Sequence, residues 1–213
     1  MSLIAMNENN GLLNSVSFNS PIIITGSIIL LGAFTSTMEK SLFFLLWVFI
    51  ITSLRIAVFH NMNIGNMAAP PPPICLSGIS TAFMPNDITY STYILSFTLA
   101  YFITPMMLLS AQTKMNVMNY YVLVFFLFYI CLDIFVKKSL NCVDSIYSSL
   151  IIGDILSGLF LGACVSGLIM YLSRLKSYLY INEINSNKEI CSLPSKQQFK
   201  CSVFKNGELV GNM

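Results

Sequence analysis

The chain has 213 residues, a formal net charge of +2 and a mean hydropathy of +0.74; 55% of it is hydrophobic and only 9% is charged. A soluble domain carries about 25% charged residues, so this composition argues against one, with a soluble all-α core as the alternative. A net charge this small, with no basic cluster, also argues against nucleic acid as a partner.

Residues 1–20 form an Asn/Ser-rich N-terminal segment, expected to be disordered or to lie on a membrane interface. The first 39 residues contain no Lys or Arg, so the basic n-region of a secretory signal is missing. Five long apolar stretches follow, at 21–37, 41–59, 91–112, 118–136 and 149–172. Each is near the roughly 20 residues that a helix needs to cross a hydrocarbon core of about 30 Å. The fold expected is an all-α, polytopic transmembrane helix bundle over 21–172, with about five spanning helices and a polar cytoplasmic tail over 173–213.

Ser20-Pro21 reads as an N-cap followed by proline at the first helical position. The connection 37–40 is short and makes the first two helices antiparallel neighbours. The second helix ends near His60. The loop 61–90 is the longest and contains Pro70–Pro73, an extended stretch without backbone donors. A short turn around Lys114 joins the third and fourth helices, and 137–148 is the last loop. In the tail, the alternation Phe199, Cys201, Val203 and then Leu209 around Asn206-Gly207 resembles a small hairpin, with a disordered end as the alternative.

Lys40, Lys114, Arg174, Lys176 and the tail lysines fall on one side of the bundle, and only Lys137 and Lys138 on the other. The positive-inside rule then places the C-terminus in the cytoplasm and the N-terminus outside. Arg174 and Lys176 sit where they meet anionic headgroups.

Three ionisable residues fall inside the stretches: Arg55, Asp133 and Asp154. Such residues are costly against lipid and face the bundle interior. All three lie toward the outer half, and a cluster in which Arg55 neutralises one or both aspartates is expected. A structural ion pair that fixes helix order is the first reading, and a catalytic or transport role the second. In the fifth helix Asp154, Gly158, Gly162 and Ser166 recur every fourth residue, and Gly158-x-x-x-Gly162 is a close-packing motif. His60 is the single histidine; no metal site, cofactor or phosphate loop is expected, and His60 reads as interfacial. Cys131 and Cys164 are expected to be buried thiols. Cys75 and Cys142 belong to the two outer loops and are a candidate disulfide in an oxidising compartment, with free thiols as the default.

Gly153-Asp154-Ile155-Leu156-Ser157-Gly158-Leu159-Phe160-Leu161-Gly162 resembles the last helix of the type 2 phosphatidic acid phosphatase superfamily, with its aspartate and following small-residue run. Met84-Pro85-Asn86-Asp87 stands where that family carries P-S-G-H. The order of helices and outer loops over 41–172 is also similar. The resemblance implies a lipid-phosphatase bundle, but its chemistry does not carry over. Of P-S-G-H only Pro85 remains; of the third motif only Asp154 remains, with Leu150 in the histidine's place and Asp144 in the arginine's. The motif remnants are thus Pro85 and Asp154, on a scaffold without catalytic residues. Cys201-Ser202-Val203-Phe204-Lys205-Asn206-Gly207-Glu208 resembles a terminal segment of membrane proteins from large nucleocytoplasmic DNA viruses.

The leading expectation is a non-enzymatic structural or scaffold protein of a membrane, viral by that resemblance. The lipid bilayer is its partner, with a homo-oligomer or other membrane proteins as further candidates. Two alternatives stay open: a lipid-phosphate phosphatase with an altered site, and a small oligomeric transporter or channel.

Overall fold

The structure, a computed structural model, describes residues 11, 13–61, 75, 87–113, 118–142, 145–172, 174–181, 202–205 and 208–212. Five apolar helices run back and forth: α1 (Ser20–Phe34), α2 (Met38–Asn61), α3 (Tyr90–Thr113), α4 (Tyr120–Ser139) and α5 (Ser145–Tyr171). Helices α2 to α5 are long and apolar enough to cross a membrane, and together the five form a helical membrane bundle.

The first span is shorter than the sequence led us to expect. Helix α1 has 15 residues, or about 22 Å at 1.5 Å per residue, less than a hydrocarbon core. It ends early because Ser36 adopts φ 55°. Thr37 N–H then bonds the Gly32 carbonyl at 2.8 Å, which satisfies the end of the helix and turns the chain. At its other end Ser20 is not the cap. Residues 13–18 are already helical, and Asn19 holds the cap position with its amide turned back to the Ser15 carbonyl, 2.9 Å away. Ser20 lies inside the helix with its hydroxyl buried and without a hydrogen-bond partner.

Helix α3 is the hub. Two-thirds of its spanning window is buried (67%), against 22–33% for the other three long helices. Their outward faces carry Phe49, Phe128, Leu156 and Phe160, all exposed, as suits side chains that meet lipid rather than water. Around the hub, Phe44, Phe97, Tyr101 and Phe102 form an aromatic cluster, with Phe44 and Phe102 stacked at 5.8 Å. The hydroxyls of Ser96 and Thr98 are buried but bond back to the carbonyls of Thr92 and Ile94 at 2.8 and 2.7 Å, so neither hydroxyl is left bare.

The stripe on α5 turns toward this hub. A Cβ on Gly158 would stand 2.7 Å from the Tyr93 carbonyl oxygen, and one on Gly162 would run into that of Phe97. The two glycines let the backbones of α5 and α3 touch, which is what small residues do where lipid gives no hydrophobic drive for helix association. Ser166 is fully buried and bonds the Gly162 carbonyl at 2.7 Å.

The packed region extends past 172. Leu179, Tyr180 and Ile181 are buried, Tyr178 stacks on Phe43 at 5.1 Å, and the Tyr180 hydroxyl bonds Ser41 at 2.6 Å. The tail also holds a two-stranded antiparallel pair, β1 (Ser202–Lys205) and β2 (Glu208–Asn212), with Lys205 opposite Glu208. Cys131 and Cys164, expected inside, face outward from the bundle instead; a thiol is apolar enough to lie against lipid.

Candidate functional site

Two polar networks lie in the half of the bundle where α2 and α4 end and α3 and α5 begin. The first is centred on Arg55 of α2. Its Nε donates to Asp87 Oδ2 at 2.7 Å, and its Nη1 and Nη2 donate to the two oxygens of Asp154 at 2.6 and 2.9 Å. The flat guanidinium fork matches a carboxylate on each of two edges. Thr89 accepts from Nη2 at 2.9 Å and passes a hydrogen bond to Asp87 Oδ1, also at 2.9 Å. One face of the guanidinium lies over the Tyr93 ring, 4.6 Å from its centroid, a contact favoured by the ring quadrupole. The side chains of Arg55 and Asp154 keep 10% and 14% of their surface exposed, and Asp87 keeps 1%. The exposed edge opens on a cavity of about 210 Å³ bordered by Arg55, Asp154, Thr89, Tyr93, Ser157 and Leu150, among others.

The second network departs from expectation. Asp133 does not join Arg55; it pairs with Lys137, one turn further along α4, at 2.6 Å. Both side chains are fully buried. The Lys137 ammonium also donates to Ser91 and Thr92 at 2.6 and 2.7 Å, which uses its three protons. Asp133 accepts from Lys137 and from the hydroxyls of Ser17, Ser91 and Thr92, at 2.5 to 3.1 Å. Ser17 brings the helical stretch 13–18 into the bundle, and the Tyr129 hydroxyl fastens it again by donating to the Val16 carbonyl at 2.9 Å.

The expected single cluster of Arg55, Asp133 and Asp154 is therefore two clamps, one joining α2, α3 and α5, the other joining the 13–18 stretch, α3 and α4. Lys137, assigned from sequence to a loop, is the reason. Helix α4 runs on to Ser139, so Lys137 is one helical turn from Asp133 and faces inward with it. The spacing Asp133-x-x-x-Lys137 was the available signal. Asp87 was the other omission: in sequence it lies in the loop before a span, and only the fold makes it a ligand of Arg55.

Cys75 and Cys142 are joined by a disulfide, with Cα atoms 5.8 Å apart. Asn141 at φ 53° caps α4 and lets Cys142 N–H bond the Lys137 carbonyl at 2.9 Å, which presents Cys142 at the helix end. Both cysteines are buried with Phe18 and Ile88. The bond spans 67 residues of sequence, and a link of this kind is worth about 2–4 kcal/mol. Non-reducing alkylation followed by mass spectrometry should leave Cys75 and Cys142 unlabelled, and reductant should lower the thermal midpoint. Labelling of both without reductant contradicts the bond.

Pro85 and Pro70–Pro73 lie outside the described residues, as does the side chain of His60. Among the described residues, no group of three or more His, Cys, Asp or Glu is placed to hold a metal ion. No protein-family model, no curated protein and no solved structure matches the chain. The resemblances to the phosphatase superfamily and to viral membrane proteins rest on the residues that carry them.

Proposed function

We propose that the chain is a non-enzymatic scaffold protein of a membrane, a bundle of lipid-phosphatase type from which the chemistry has gone. The observation that carries this reading is the state of the intramembrane ionic groups. Arg55, Asp87 and Asp154, and separately Asp133 and Lys137, are bound to one another across helices and hold the bundle together. A residue committed in that way is a fastening, not a nucleophile or a proton carrier. Leu150, which stands where the family has a histidine, borders the cavity beside Asp154 and brings no nucleophile to it.

The disulfide end belongs in an oxidising compartment, and the opposite end, with Lys40, Arg174 and Lys176, in the cytoplasm. The burial and pairing of Lys137 support this orientation. Of the two lysines that weighed against it, Lys138 alone is exposed. A virion membrane is the setting in which we place the scaffold, on the strength of the segment 201–208, and its partners there are the bilayer and other membrane proteins or copies of itself. The open cavity at Arg55 and Asp154 favours a second reading, a lipid-phosphate phosphatase with an altered site.

Purified protein in nanodiscs and in sealed vesicles, given phosphatidate and then an ion gradient, separates the readings. The expected result is neither phosphate release nor ion flux. Phosphate release that is lost in Asp154→Asn overturns the scaffold reading in favour of the enzyme.

A further inference from the structure

Toward the disulfide end, a groove of about 390 Å³ lies between residues 21–25 of α1 and 45–52 of α2, with Tyr90 of α3 closing its outer end. From Thr52 to Leu45 it follows α2 inward for about 10 Å, starting one turn inside Arg55. Ile22 and Phe49 stand exposed at its rim, so it opens sideways into the hydrocarbon. Among the described residues that line it, none is charged.

Two features constrain what fills it. The Tyr90 and Thr52 hydroxyls lie 2.9 Å apart. Two hydroxyls that share one hydrogen bond leave one of their protons without an acceptor among the described residues. Tyr90 keeps only 6% of its surface exposed, and a donor left unmet in a bilayer is costly. Thr25 adds no second donor, for its hydroxyl is spent on the Pro21 carbonyl at 2.8 Å. The other feature is stiffness. Pro21, Ile22, Thr25, Val48 and Thr52 are proline or β-branched, with few rotamers to choose from, so the groove is preformed.

We propose that this groove binds a sterol, a rigid apolar ring body with a single hydroxyl, from the leaflet at the disulfide end. The sterol hydroxyl accepts the remaining proton at Thr52 and Tyr90, and the rings lie inward against Ile22, Val48 and Phe49. A rigid body in a stiff groove gives up little rotational freedom, whereas an acyl chain must freeze several bonds. A phospholipid phosphate finds no cation in the lining, and Arg55 above it is held by Asp87 and Asp154. The sterol fills the space between α2 and the short helix α1. The proposal rests on the placement of the bundle in a bilayer.

Full-length protein in phosphatidylcholine nanodiscs is irradiated with cholesterol that carries a diazirine on its rings, and the labelled peptides are mapped by mass spectrometry. Labelling is expected to saturate, to fall on residues 21–25 and 45–52, and to be displaced by unlabelled cholesterol far better than by cholestane, which lacks the hydroxyl. Thr52→Val combined with Tyr90→Phe should weaken binding about fivefold, the worth of one hydrogen bond. Thr52→Ser, which keeps the hydroxyl, should bind as the parent does. Ile22→Trp, at the exposed rim, should fill the groove and abolish labelling there.

Equal displacement by cholestane, or unchanged binding in the double variant, overturns the proposal. So does labelling spread evenly over outward residues such as Phe128 and Phe160, which is ordinary lipid contact and leaves the membrane placement intact. A diazirine-acyl phosphatidylcholine that labels the groove and is not displaced by cholesterol makes the occupant an acyl chain and overturns the sterol. No labelling by either probe anywhere on the chain means that the bundle does not meet hydrocarbon, and the membrane placement fails with the proposal.

Discussion

Replacing Lys137 with Met is expected to destabilise the bundle by about 3–5 kcal/mol, the usual loss when one partner of a buried ion pair is removed. The magnitude follows from what remains. Asp133 is fully buried, and three hydroxyl donors do not substitute for a cation in an interior of low dielectric. A second change tests the cause: Lys137→Met with Asp133→Asn should recover most of the loss. The amide can still accept from Ser17 and Ser91, and no charge is stranded. Lys138→Met, one residue away but exposed, should stay within about 0.5 kcal/mol of the parent. Unfolding by titration of a denaturing detergent against the folded protein gives the comparison. If the double variant is as unstable as Lys137→Met alone, the pair is not what holds α4 to α3.

Much of the bundle could be read from sequence because lipid imposes a simple demand. Every backbone group must be bonded within its own segment, so spanning length and apolarity identify helices with little help from tertiary structure. The glycine stripe on α5 could be read for a related reason: Gly158 and Gly162 at a spacing of four have one main use in a membrane. What could not be read was set by local termination and by distance. Ser36 and Asn141 adopt left-handed conformations that nothing in their residue type enforces, and they fixed where α1 stopped and where α4 ran on. The second of these moved Lys137 from a loop to the core and gave Asp133 a partner of its own. Asp87 reaches Arg55 across 32 residues, a pairing that no periodicity encodes.

The largest departure from additivity is expected at Arg55. Arg55→Leu removes the one group that bonds both Asp87 and Asp154, and two carboxylates then face each other in a nearly dry site. A loss of about 3–5 kcal/mol is again the expectation, although the slight exposure of Asp154 lets water reach one carboxylate and holds the value toward the lower end. Arg55→Lys should restore little of it, because an ammonium on a flexible stem cannot bond two carboxylates and Thr89 as a planar fork does. The triple variant Arg55→Leu, Asp87→Asn, Asp154→Asn should be more stable than Arg55→Leu alone, for in it no charge is left without a partner. The amide oxygen introduced by Asp87→Asn would still accept from Thr89 N–H, which now bonds Asp87 Oδ1 at 3.1 Å, so the start of α3 keeps its local cap. Amide hydrogen exchange adds a spatial test. Since Asp87 ties the first turn of α3 to α2 and α5, Arg55→Leu should speed exchange around residues 89–93 well before it speeds exchange near Phe102. Uniform acceleration along α3, or a triple variant whose stability equals the sum of the separate losses, would mean that these residues act independently and that Arg55 does not lock the three helices together.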